Sequence, residues 1–207
     1  PFRLGVIPTI GPFLLPKAMP AIRKAFPELE LYLREDLTAN LVDRLTAGLL
    51  DAVLIAFPYE APGLESEDIA RDDFVLASAT PPSHAPVGLD DLEGQDLLLL
   101  EDGHCLRDHA LSACRLQPQA MAGAFGATSL FTLAQMADSG LGVTLLPEIA
   151  VEAGLTRGLA LNLTPFADPA PFRRIGMAWR AGSGCKDAAL EIAGVVRKTL
   201  PKEAILE

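Results

Sequence analysis

Two cysteines nine positions apart carry most of the chemistry legible in this 207-residue chain. Cys105 lies in Leu100-Glu101-Asp102-Gly103-His104-Cys105-Leu106-Arg107-Asp108, which continues the apolar run from Leu97. That pattern predicts a strand feeding a helix through a short polar turn, with Cys105 in the first helical turn. Unpaired backbone N–H groups and the positive end of the helix dipole at such a position favour a thiolate, the nucleophilic form of the side chain. His104 and Arg107 add nearby charge of the same sense. The second sulfur is Cys114. Nine residues of α-helix give a rise of roughly 13–14 Å and a rotation of about 180°, whereas a disulfide needs Cα atoms within about 7 Å. An intact helix therefore keeps the two sulfurs apart. If Cys105 is oxidised to a sulfenic acid, which condenses with a second thiol, the bond closes only when the helix unwinds. Leu106, Ala110, Ala113 and Cys114 also form one apolar face at i, i+4, i+7 and i+8, so Cys114 reads equally well as a small core residue.

The elements that position this stretch follow from periodicity. Leu4–Pro8 reads as a short buried strand and Pro12–Phe26 as a helix with Leu15, Met19, Ile22, Ala25 and Phe26 on its apolar stripe. Pro16 and Pro20 each remove a helical hydrogen bond, which predicts that the regular part begins near one of them. Leu29–Arg34 alternates as a strand, Leu41–Leu50 is helical, and Ala52–Phe57 is a buried strand, giving β-α-β-α-β. A second series starts at Phe74–Ser78 and passes Leu97–Leu100, the cysteine helix and a strand around Ala124-Phe125. It continues with a helix from Ser129 to Asp138, closed by Gly140-Leu141-Gly142, and a strand at Val143–Leu146. Leu159–Leu163 and Ile175–Arg180 read as strands and Asp187–Leu200 as the last helix. The expected architecture is two similar α/β units with a ligand crevice at the strand ends.

Composition narrows the function classes. Half of the chain is apolar and 21% charged, as in a folded globular protein. A net charge of −10 disfavours direct contact with nucleic acid or an anionic membrane, and no apolar run is long enough to span a bilayer. Three cysteines are too few for a secreted disulfide scaffold, which predicts a cytoplasmic protein with reduced thiols. The start Pro1-Phe2-Arg3 has no initiator Met, as expected of part of a longer protein. Cys185, after Gly182-Ser183-Gly184, is expected to be an exposed or half-buried cysteine with no partner in the cysteine pattern.

Several stretches together resemble the effector domain of LysR-type transcription regulators: Leu29–Phe57 with Leu49-Leu50-Asp51-Ala52-Val53, Ala127-Thr128-Ser129, and Gly140-Leu141-Gly142-Val143-Thr144-Leu145-Leu146-Pro147. Ile7-Pro8-Thr9-Ile10-Gly11-Pro12 and Leu100–Asp108 resemble the hydrogen peroxide-sensing members of that family. The similarity runs from about residue 2 to 200. It implies two Rossmann-like α/β subdomains of periplasmic-binding-protein-like (type 2) fold, one from residues 1–72 plus 172–207 and one from 73–171. An amino-terminal winged helix-turn-helix would be absent from this chain. It also implies roles: Cys105 peroxidatic, Cys114 resolving, Thr9 and Thr38 holding peroxide in a small polar pocket between the subdomains, His104 and Asp108 around the sulfur, and Arg173 stabilising the Cys105 thiolate. Implied partners are hydrogen peroxide, other copies in a dimer or tetramer, DNA only through the missing domain, RNA polymerase, and a glutaredoxin- or thioredoxin-type reductant. The helix from Pro16 to Phe26 would be a dimer surface. No cofactor, metal or membrane is implied, and the protein would not be an enzyme.

Local chemistry offers plainer roles for the same residues. Thr38 reads as an N-cap for the helix that follows, Asp108 as a favourable first-turn carboxylate, and Arg173 as one half of a surface pair. The chain also departs from the family pattern: His109 stands at an uncharged polar position, and Ala124 and Gly126 stand where some members are basic. Two rival functions share the features. A LysR-type domain binding a small organic effector would use Thr128 and Ser129 at a helix N-terminus to take a carboxylate, and a thiol peroxidase would share the cysteine chemistry. A solute-binding protein would have no use for the cysteine pair.

Overall fold

The computed structural model describes residues 1–113, 126–201 and 204–205. The chain divides into a first unit, Pro1–Asp72 with Arg173–Glu207, and a second, Asp73–Phe172.

The first unit is built on β1 (Phe2–Val6), which pairs in parallel with β2 (Leu31–Glu35) and β3 (Ala52–Phe57). β3 continues antiparallel to β8 (Phe172–Arg180), and β8 neighbours β4 (Leu64–Ser78). Every residue of β3 is buried, as an unbroken apolar run in a parallel sheet requires. β2 is an edge strand whose residues are mostly exposed. Helices α1 (Gly11–Ala25), α2 (Thr38–Thr46) and α6 (Lys186–Arg197) complete the unit.

α1 corrects two expectations. It begins at Gly11, with a proline in its first turn, and runs through both Pro16 and Pro20. Pro12, Pro16 and Pro20 recur every four residues and all face solvent, so water can reach the carbonyls their missing N–H groups leave unpaired. The buried face is Phe13, Leu14, Ala18 and Ile22. Of the predicted stripe only Ile22 is buried; Leu15, Met19 and Phe26 are intermediate and Ala25 is exposed.

In the second unit, residues Phe74–Ala77 of β4 pair antiparallel with β6 (Val143–Pro147), and Val75–Ser78 with β7 (Asn162–Pro165). The short β5 (Leu97–Leu98) lies parallel to β6. α3 (Cys105–Ala113), α4 (Leu130–Asp138) and α5 (Glu148–Glu152) follow β5, precede β6 and follow β6 respectively. The strand expected at Leu159–Leu163 lies slightly later in the chain, and the one expected around Ala124-Phe125 falls outside the described residues.

The two glycines closing α4 have distinct reasons. Gly140 has φ of 76°, the left-handed conformation that ends a helix without strain. At Gly142 a Cβ would stand 2.1 Å from the carbonyl oxygen of Asp96, so no side chain fits where β6 enters beside β5. The sequence element Gly-Leu-Gly is thus a helix stop followed by a close backbone approach.

Candidate functional site

In the first unit the structure gathers residues that sequence placed far apart. Thr9 lies in the turn after β1 and Thr38 is the first residue of α2, after β2, so both stand beyond the carboxyl ends of neighbouring parallel strands, where α/β sheets place ligands. Both are buried, 2% and 3% exposed. Their surroundings differ. The Arg173 guanidinium donates from Nη1 to Thr9 Oγ1 at 2.8 Å, from Nη2 to the Thr9 carbonyl at 3.0 Å and from Nε to Asp72 Oδ2 at 2.9 Å. Arg173 is only 1% exposed, so it is a buried, paired cation rather than half of a surface pair. Thr38 Oγ1 is buried with no hydrogen-bond partner among the described residues. Nor is Thr38 the N-cap, which is Leu37 in extended conformation.

In the second unit Cys105 is the first residue of α3, half-buried, with its thiol in no disulfide. The turn before it is fixed by the Leu100–Ala127 bridge and the Glu101 N–H, which donates to the Ala127 carbonyl at 2.9 Å. Gly126 permits that approach, since a Cβ there would stand 2.9 Å from Glu101 Cγ. His104 is buried, and burial pushes its imidazole below the ordinary value, with Glu101 pulling the other way. It is therefore a neutral ring at neutral pH, not the added positive charge expected from sequence. Arg107 pairs with Asp102 at 3.0 Å and donates to the Leu100 carbonyl, so its charge locks the turn. Asp108 is exposed on the first turn of α3, and His109 is buried. Leu106 and Ala110 lie on the buried face as expected. Cys114 and Ala124 fall outside the described residues.

The other described cysteine differs. Cys185 precedes α6, is half-buried and in no disulfide as expected, and its thiol donates to Asp51 Oδ1 at 3.6 Å. Burial and the Asp51 carboxylate both raise its pKa, which holds it as a thiol. Asp51 is in turn gripped by Arg3 through Nε at 3.0 Å and Nη2 at 2.7 Å.

Ser129, considered for a carboxylate ligand, caps α4 by accepting from the Thr132 N–H at 3.2 Å. A cavity of about 500 Å³ opens on the second unit beside Ser78, His84, Asp91 and Gly142, and none of the predicted site residues lines it. Sequence reasoning missed Asp72. It sits in the charged run Glu65–Asp73, where nothing in the pattern separates it from its neighbour Asp73.

A family model described as the LysR substrate binding domain matches residues 1–200. A probable hydrogen peroxide-inducible genes activator of Streptomyces viridosporus is 42% identical over 204 residues, 96% of this chain and 65% of the relative. The DNA-binding transcriptional dual regulator OxyR of Escherichia coli is 38% identical over 200 residues, 95% of this chain and 65% of the relative. This chain thus spans about two thirds of the length of those curated relatives. Among solved structures, the reduced form of the regulatory domain of OxyR2 from Vibrio vulnificus matches with a TM-score of 0.86 at 39% identity, covering 96% of this chain and 95% of that one. A hydrogen peroxide-bound mutant of OxyR from Corynebacterium glutamicum matches with a TM-score of 0.88 at 33% identity, covering 96% of this chain and 64% of that one.

Proposed function

Because the chain belongs to the LysR substrate-binding domain family, we propose that it is the redox-sensing regulatory domain of a LysR-type transcription regulator whose signal is hydrogen peroxide. The observation that carries this reading is Cys105: a half-buried free thiol opening a nine-residue helix, with Cys114 nine positions on. The names and bound states of the similar proteins support it.

The Cys105 sulfur, as thiolate, attacks one oxygen of hydrogen peroxide. An S–O bond forms, the O–O bond breaks, and the second oxygen leaves as hydroxide, which takes a proton to become water. Sulfur loses two electrons and becomes a sulfenic acid. The Cys114 sulfur then attacks it, forming the S–S bond and expelling the oxygen as a second water. Two thiols and one peroxide give one disulfide and two waters. Thr9, Thr38 and the neutral ring of His104 hold the peroxide. Thr38 supports this assignment through its orphan hydroxyl, because a buried polar group without a partner is costly and a small polar ligand supplies one. Asp108 and Arg173 complete the residues assigned to the site.

Disulfide closure rebuilds the segment from about residue 103 to 120, since nine residues of unbroken helix would hold the two sulfurs apart. That refolding shifts contacts between copies in a dimer or tetramer and so repositions DNA-binding domains outside this chain, an order and packing switch read out through RNA polymerase. Return to the dithiol requires a glutaredoxin- or thioredoxin-type reductant in a reducing cytoplasm. The domain is a sensor and not a peroxidase: it reacts fast once and is reduced slowly. Cys114→Ser tests the order of events. Peroxide followed by dimedone should give an adduct on Cys105, and absence of the adduct in protein that consumes peroxide would contradict the assignment.

A further inference from the structure

We propose that Arg107 is a positioning residue for the second step of the switch: its side chain straps α3 to the turn before it, holds the dithiol form, and must let go before the disulfide closes. The inference rests on the proposed function and names the contact that sets the ease of its resolving step.

Every contact it uses lies in the second unit. A helical side chain leans toward the N-terminus of its helix, and Arg107, the third residue of α3, reaches back in that direction past Cys105. Its Nε meets Asp102 Oδ1 at 3.0 Å and its Nη1 donates to the Leu100 carbonyl at 3.3 Å. Cys105 stands inside the stretch of chain that these contacts close. The far end is anchored in turn: Leu100 is buried and bridges Ala127, and the Glu101 N–H donates to the Ala127 carbonyl at 2.9 Å. One guanidinium thus fastens the first turn of α3 to a segment that is itself fixed. These contacts need residues 102–107 in their turn-to-helix conformation. Disulfide closure rebuilds the chain from about residue 103, so the strap is present in the dithiol and the sulfenic acid and lost in the disulfide. An interaction made in only one of two interconverting states favours that state by its own free energy. Removing the strap therefore shifts the protein toward the disulfide and speeds the step that forms it. The Asp102 side chain is 95% exposed, which makes the ion pair weak, and the bond to Leu100 is charge-assisted but long, so the two together are worth about a three- to tenfold effect. Because the Arg107 charge is engaged by Asp102 and Leu100, the effect falls on the unwinding of the helix and not on the attack of the sulfur on peroxide.

The test uses the 207-residue chain and Arg107→Met, which keeps an apolar stem and loses the donors. Alkylation of Cys105 by iodoacetamide reports the sulfur. Rapid quenching into dimedone after peroxide, read by mass spectrometry, gives the rate at which the sulfenic acid forms and the rate at which it converts to the product two hydrogens lighter. Equilibration with glutathione gives the redox midpoint, one protein disulfide and two glutathione thiols exchanging for two protein thiols and one glutathione disulfide. Arg107→Met should leave alkylation and sulfenic acid formation within about twofold, speed the conversion about three- to tenfold, and raise the midpoint ratio of squared glutathione to glutathione disulfide by the same factor. Arg107→Lys keeps the charge but has no fork to meet both acceptors, so its conversion rate and midpoint should lie between those of the parent and Arg107→Met; it carries the comparison where Arg107→Met does not fold. A conversion rate and midpoint that do not move, or a fall in alkylation and conversion together, overturns the inference. A parent protein that never forms the Cys105–Cys114 disulfide would instead overturn the proposed function, so the two failures are distinct.

Discussion

Thr9 and Thr38 are almost equally buried, yet valine at the two positions should change stability in opposite directions. Thr38 Oγ1 has no partner among the described residues, and an unsatisfied buried hydroxyl costs about 1–3 kcal/mol. Valine is nearly isosteric and keeps the β-branch at the first position of α2, where the backbone N–H needs no intrahelical partner. Thr38→Val should therefore stabilise the protein by about 1–2 kcal/mol, a rise in Tm of roughly 2–4 °C per kcal/mol for a chain of this size. Thr9→Val removes an acceptor from the buried Arg173 guanidinium. Leaving a charged donor unsatisfied should destabilise by about 2–3 kcal/mol. Urea and thermal unfolding of both variants read the signs, and stopped-flow peroxide oxidation of Cys105 should slow in both. A Thr38→Val protein less stable than the parent would refute the orphan-hydroxyl account. An unchanged peroxide rate in it would remove Thr38 from the site.

Three further outcomes follow from the same geometry. Because burial lowers the His104 pKa from 6.5, the unfolded chain binds a proton that the folded one refuses as pH falls below that value; stability should decline on acidification and level off below the folded pKa, and His104→Gln should remove that part of the slope in pH-dependent denaturation. Since Asp51 and burial hold Cys185 as a thiol, one equivalent of peroxide should leave it reduced by peptide mass mapping, and Cys185→Ser should not change the Cys105 rate. Gly142→Ala, which would drive a Cβ to 2.1 Å from the Asp96 carbonyl, should destabilise by at least about 2–3 kcal/mol in urea unfolding, as backbone must move.

Elements whose local pattern agrees with their environment could be read from the sequence. Ala52–Phe57 is apolar throughout and is β3 to the residue; Ser129 followed by Leu130 marks the start of α4. What the pattern hid was decided by distant partners. The first half of β4 is too charged to show a strand pattern, but Glu65 meets Lys186 and Trp179, Glu67 meets Arg197, Asp68 meets Arg174, and Asp72 meets Arg173. Those charges are tolerated in a strand because β8 and α6 answer them, which no local window contains. The prolines of α1 misled for a related reason: their cost depends on which face they occupy, and all three face water. At the site, Cys105 announced itself through a local turn-to-helix signal, whereas the identity of Thr9's partner lies 164 positions away. The charge expected of His104 and Arg107 failed because burial neutralises the one and Asp102 engages the other.

The central claim is that Cys105 reacts with peroxide and Cys114 resolves it, and mass spectrometry after one equivalent of hydrogen peroxide tests it most directly. The intact chain should lose two hydrogens, with Cys105 and Cys114 in one cross-linked peptide and Cys185 unmodified. A loss of two hydrogens that persists in Cys105→Ser, or a peroxide-treated parent that gains oxygen without any cross-link, would contradict the account.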